Sequence, residues 1–163
     1  MKEFIINTFA EYAMYIVFLH VISAVIWVGG MIAIRLAVHP ALQEIKDPKD
    51  RLETTLKTVG NLFHLVMPFI IFLIITAVFL AVGLGFKETS LYWLVHLKEV
   101  IWTVMTLNFI YMYIKRRTAA NLFAQGSLTE ARQAVSKLPN LLLPINIFLG
   151  VCAIFSGVVL RGF

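Results

Sequence analysis

This sequence predicts an all-α integral membrane fold, an antiparallel bundle of four transmembrane helices, on three observations. Of its 163 residues 60% are hydrophobic and only 14% charged, against about 25% charged in an average soluble domain. The apolar residues gather into four long runs, and most of the Lys and Arg residues lie between those runs. A water-soluble fold could hardly cover such a core, so residues 1–163 read as a single transmembrane domain.

The runs extend from Tyr12 to Val38, Leu62 to Phe86, Leu91 to Ile114 and Leu138 to Leu160. Each is long enough for a hydrocarbon layer of about 30 Å at about 1.5 Å per helical residue. None alternates with period two, and backbone groups in lipid must bond within their own segment, so helices are predicted over barrel strands. The first run is too long for the apolar part of a signal peptide and is expected to be retained as a span.

Orientation follows from the basic residues, because Lys and Arg near span ends stay in the cytoplasm. Nine lie in the two long loops: Lys46, Lys49, Arg51, Lys57, Lys115, Arg116, Arg117, Arg132 and Lys137. Only Lys2, Lys87 and Arg161 lie on the other side. The chain therefore reads as a multi-pass protein of the bacterial inner membrane with both termini periplasmic. The net charge of +5 belongs to this topology rather than to nucleic-acid binding, since the basic residues form no stripe with interleaved aromatics.

The two long loops carry Leu, Ile, Phe and Ala at helical spacing over Ala41 to Val59 and Thr118 to Val135. They are expected to extend the helices or lie at the interface. Pro68 and Pro144 invite kinks, and Gly29, Gly30, Gly150 and Gly157 allow close helix approach. Cys152 stands alone within the last span, which leaves neither a disulfide framework nor a cysteine zinc site.

Polar groups inside a bilayer are costly and mark functional candidates. His20 lies about 12 Å and His96 about 8 Å inside the outer ends of spans one and three. Two imidazoles at one level on facing helices would supply both axial ligands of a haem without adding charge. His20 and His96 are therefore the expected iron ligands of one haem b. Taken singly, each would instead read as a bundle-facing residue bonded to a neighbouring helix.

Trp27 near the His20 face would wall the porphyrin, and Glu99 near the His96 face would fix a tautomer, relay a proton or pair with a basic group. Arg35 would hold a propionate or a lipid phosphate, or anchor at the interface. Lys98, on the far side of its helix from His96, is expected to snorkel outward. His39 and His64, with Met67 beyond, form a weaker second level for a haem or copper. The alternative function is copper binding or transport, using soft and imidazole ligands such as Met14, His20, Met31 and Met67. A ligand-free assembly subunit is a third reading.

The stretch from His20 to Leu42, HVISAVIWVGGMIAIRLAVHPAL, resembles the first span of the copper-resistance-D-like (CopD-like) membrane proteins. It shares their His, the Trp seven residues later, the Gly pair and the terminal Pro-Ala. The segment around His96, the Arg116-Arg117 exit, the Gly126 linker and Asn146 to Gly150 resemble the rest of that four-span family. The resemblance implies a membrane redox or copper-linked role.

HemJ-type protoporphyrinogen oxidases are similar in the His and Trp of span one, a Pro-bearing span two and an aromatic start with a Lys in span three. That likeness implies haem b and porphyrinogen oxidation, with their span-one His at His20 and their span-three Lys at Lys98. The chain departs from them at Ile34-Arg35, where a Pro-Arg pair is expected, and at His64, which occupies a basic position. The expected function is electron transfer by a haem-b membrane oxidoreductase, with a quinone or a porphyrin as partner and the lipid bilayer around it. A homo-oligomer or a larger membrane complex is compatible with the sequence.

Overall fold

The structure, a computed structural model, describes residues 2–162, and of Glu88 the backbone only. Four helices run through them: α1 (Lys2–Gln43), α2 (Pro48–Gly83), α3 (Tyr92–Ala124) and α4 (Leu128–Leu160). No strand occurs among the described residues. α1, α2 and α4 are each long and apolar enough to cross a membrane. α3 is as long but carries Lys98, Glu99 and Asn108 within its apolar run.

The helices outrun the predicted spans. α1 contains 42 residues, about 60 Å of helix and twice a hydrocarbon layer. At the basic end, the loop segments continue the helices. α2 begins at Pro48, α3 continues to Ala124, and α4 opens with the amphipathic segment Leu128–Val135. Leu52, Leu56, Ala119 and Ala131 make a small second core among these extensions.

Local chemistry explains the boundaries. Asp47 caps α2 by accepting from the backbone amides of Lys49 at 2.7 Å and Asp50 at 3.0 Å, and Pro48 follows at a position where no amide is needed. Beyond α2, Gly85 adopts a φ of 64°, and beyond α3, Gly126 one of 83°, left-handed conformations that glycine adopts without steric cost. The Ser127 amide then reaches back to the Leu122 carbonyl at 3.0 Å, closing the end of α3.

Of the two expected kinks, the one at Pro144 has a wide turn just before it and the one at Pro68 has none. α2 passes through Pro68 unbroken. α1 departs from helical angles at Tyr12 and widens to π geometry over Val25–Gly29 and Ile34–Val38. The second wide turn precedes Pro40, whose ring would crowd the carbonyl four residues back and which has no amide to offer it. α4 widens over Leu138–Leu142, around Pro139 and just before Pro144.

Contacts between helices establish an antiparallel arrangement. Phe9 lies against Gly83, His20 against Thr76 and Gly30 against Leu62, so α1 and α2 run in opposite directions. Phe63 meets Phe109 across α2 and α3, and Asn108 meets Asn146 across α3 and α4. Gly150 closes the bundle on α1: a Cβ there would lie 2.7 Å from a Val28 methyl and 3.3 Å from the Met105 terminal methyl. The main core, with Trp27, Met31, Phe63, Val66, Met105 and Phe109, fills the centre.

Gly150→Ala should therefore destabilise the bundle by about 1–3 kcal/mol through overpacking. Gly29→Ala, with nothing within 4 Å of its added Cβ, should be neutral or stabilising by up to about 1 kcal/mol. Thermal unfolding of both variants in one detergent checks the contrast, and equal melting points would refute this account of the Gly150 contact.

The Asp50 and Lys49 amides hold the Asp47 carboxyl below its ordinary range. A depressed folded-state pKa makes this contribution fully present above the unfolded value of about 4 and lost as pH falls through the folded value. Exchange protection of the Lys49 and Asp50 amides should drop on acidification below about pH 4, and Asp47→Ala should show that loss already at neutral pH.

Candidate functional site

Gly150 marks one level of the bundle, where Val28 of α1 and Met105 of α3 converge on α4. About two turns outward along each helix stand His20, Lys98 and Gly157. α2 contributes Thr76 at the same level, with its hydroxyl 2.9 Å from His20 Nδ1. Four helices thus bring a small polar set into the outer half of the bundle.

The hydrogen bonds assign the imidazole tautomer. Thr76 is buried, and its hydroxyl donates to the Phe72 carbonyl at 2.6 Å. A hydroxyl has one proton, so towards His20 Thr76 can only accept. With the Thr76 proton on the Phe72 carbonyl, the ring proton sits on Nδ1 and the lone pair on Nε2, which has no side-chain hydrogen bond among the described residues. An imidazole held through Nδ1–H with Nε2 open is the form that ligates metals.

Lys98 is half-buried and reaches α4 at its smallest residue, since a Cβ on Gly157 would lie 3.1 Å from Nζ. Among the described residues no carboxylate lies within ion-pair distance of it. The neighbouring hydroxyls are already committed: Ser23 donates to the Leu19 carbonyl at 2.6 Å and Ser156 to the Cys152 carbonyl at 2.8 Å. His20 Nε2 and Lys98 Nζ are the nitrogens left for other chemistry at this level.

The expected pairing of His20 with His96 is not what the helices assemble. His96 bonds Glu99 through Nδ1 and Oε2 at 2.9 Å, and their side chains are 57% and 54% exposed. Trp93, Leu97 and Val100 share that outward face, whereas Leu94, Ile101 and Met105 are buried. Two residues turn a helix by about 200°, so a helix that directs Lys98 inward directs His96 out. Lys98, expected to snorkel toward the outer interface, is half-buried and reaches Gly157 of α4.

The remaining candidates are dispersed. Trp27 is 2% exposed in the main core, edge-on to Phe109 with ring centres 6.2 Å apart, and its indole N–H has no partner among the described residues. Arg35 is half-buried in the inner wide turn of α1. His64 lies on the exposed side of α2, perpendicular to the Tyr113 ring. Met67 lines an apolar groove between α2 and α3, while His39 faces a different cavity at the inner end. Met14 is exposed on α1 and Met31 is buried in the core. Among the described residues no three His, Cys, Asp or Glu side chains gather as a metal-binding group.

Asn108 and Asn146 tie α3 to α4. Asn146 is wholly buried; its amide donates to the Met105 carbonyl at 3.1 Å, and its oxygen accepts from Asn108 at 2.7 Å. Asn108 also donates to the Leu142 carbonyl at 2.9 Å, inside the wide turn of α4. Thr76 is the partner that sequence reading missed. The available signal was its isolation, as the one hydroxyl between Leu62 and Phe86.

No family model matches this chain, and no curated protein or solved structure is significantly similar to it. The site is therefore interpreted from its own geometry.

Asn146→Ala should lower stability by about 1–3 kcal/mol, the cost of stranding buried polar partners. A double-mutant cycle with Asn108→Ala, read by unfolding in detergent, should show coupling between the two positions. Strictly additive losses would mean that the two amides do not act as a unit.

Proposed function

We propose that this chain is a four-span protein of the bacterial inner membrane that binds haem b at the His20 and Lys98 level and transfers electrons. The observation that carries the reading is His20 itself, a bundle histidine whose Nδ1–H is committed to Thr76 and whose Nε2 lone pair is free.

The donor set suits haem better than a bare metal ion. Haem iron requires only its axial ligands from the protein, whereas an ion needs several ligands together. His20 supplies a neutral imidazole nitrogen, held in orientation by Thr76. Lys98 supplies a second nitrogen from α3, where it reaches Gly157 of α4. When bound, haem contributes one-electron chemistry, and this chain's residues contribute ligation, orientation and exclusion of water. The resemblance of His20 to the span-one His of CopD-like and HemJ-type proteins, and of Lys98 to the span-three Lys of the HemJ type, agrees with this assignment. A quinone, or a porphyrinogen in the manner of the HemJ type, would be the redox partner.

The outer surface of α3 supports its insertion beside the other three helices. Trp93, Leu97, Val100, Val104, Leu107, Tyr111 and Ile114 are all exposed at intervals of three or four residues. Such a stripe would be an unusually large apolar patch in water and is ordinary against lipid. The nine basic residues of the long loops favour a cytoplasmic inner end.

Purified from haem-sufficient cells, the protein should show a Soret band. His20→Ala should abolish the wild-type low-spin signal and regain part of it with added imidazole. Lys98→Ala should alter the spectrum, and His96→Ala should leave it unchanged. A His20→Ala protein with the wild-type spectrum, or stoichiometric copper without a Soret band, would overturn the assignment.

A further inference from the structure

The inner end of the bundle encloses a cavity of about 400 Å³, lined by all four helices and remote from the His20 level. Its lining includes three arginines, Arg51, Arg116 and Arg132, together with His39. Among the described residues no Asp or Glu side chain lines it. Among the described residues none of these arginines lies within ion-pair distance of a carboxylate. The floor is apolar, formed by Phe63, Met112 and Leu143 of the main core.

Arg116 is built into this wall. Its Nε donates to the Leu56 carbonyl at 2.9 Å, which fixes the guanidinium plane. The side chain crosses α2 over Gly60, where a Cβ would overlap the guanidinium. Three arginines with no ion-paired carboxylate among the described residues, set around an apolar pocket, suit an anion, and the fork of each guanidinium matches phosphate oxygens.

We propose that this cavity binds the head group of an anionic phospholipid, with the phosphate among Arg51, Arg116 and Arg132 and the start of an acyl chain against Phe63 and Met112. The proposal rests on the membrane reading and not on haem. Basic pockets between spans on the cytoplasmic side suit acidic lipid head groups, and charge complementarity with an apolar floor selects an amphiphile over a free ion. The site would tie the extended helix ends to the inner leaflet.

The test uses the full-length protein in zwitterionic detergent, titrated with phosphatidylglycerol, phosphatidylcholine, oleate or inorganic phosphate. Melting temperature and lipid adducts in native mass spectra are the readouts. Phosphatidylglycerol should raise the melting point by several degrees and remain as an adduct, and high salt should weaken both effects. Arg51→Gln combined with Arg132→Gln should cut adduct occupancy about tenfold while keeping the Soret spectrum, whereas Lys87→Gln at the opposite end should bind as wild type. Should the double variant fail to fold, the lipid comparison on the unaltered protein still decides. Equal effects of phosphatidylcholine, oleate or phosphate alone, or undiminished binding by a folded double variant, would overturn the proposal. Recovery of the chain from the soluble fraction without detergent would overturn the membrane reading as well, while loss of haem alone would leave the lipid site standing.

Discussion

Asn146 has no access to solvent, and its side-chain amide spans the gap between α4 and α3, donating to the Met105 carbonyl and accepting from Asn108. Apolar side chains can slide past one another by a turn at little cost, because lipid and core are equally apolar. Two amides with few alternative partners cannot. They set the register of α4 on α3, and Gly150 then admits Val28 of α1 at the same height. With the register set, Gly157 falls beside Lys98 two turns further out, and His20 arrives level with both.

The same economy governs the other polar groups. Ser23, Thr55, Thr103 and Ser156 spend their hydroxyl protons on carbonyls of their own helices. Thr76 does so too, but it keeps an acceptor lone pair that orients His20. A hydroxyl that merely satisfied itself would be structural. This one transmits its orientation to an imidazole and leaves that imidazole's second nitrogen open. The exceptions are the Trp27 indole N–H and the Thr106 hydroxyl, both buried without a partner among the described residues.

Polar chemistry is concentrated at two ends of an apolar centre. The outer level offers an imidazole and an amine within the bundle. The inner end offers guanidiniums around a cavity, beneath the small core formed by the helix extensions. Trp27, Phe63, Met105 and Phe109 lie between them. The length of that layer separates the two sets of charge, and Coulomb interaction falls with distance, so substitutions at one end need not disturb the other.

The all-helical class, the number of helices and the helical nature of the basic loops were legible in the sequence, because hydrophobic run length and 3.6-residue periodicity are local properties. The special position of His20 was legible too, as a polar residue in an apolar run. Helix ends were less so: α2 and α4 begin well before their apolar runs, where packing of Leu52, Leu56, Ala119 and Ala131 stabilises extra turns. The inward face of α3 was decided only by tertiary structure. His96 and Lys98 compete for opposite sides of one helix, and intrinsic cost favours burying the imidazole over the amine. Packing of Leu94, Ile101 and Met105, and the register imposed by Asn108 and Asn146, outweigh that preference and turn Lys98 inward. Thr76 as the partner of His20, and the gathering of Arg51, Arg116 and Arg132 around one cavity, were likewise invisible, since they join residues far apart in the chain through helix rotation, which local sequence does not encode.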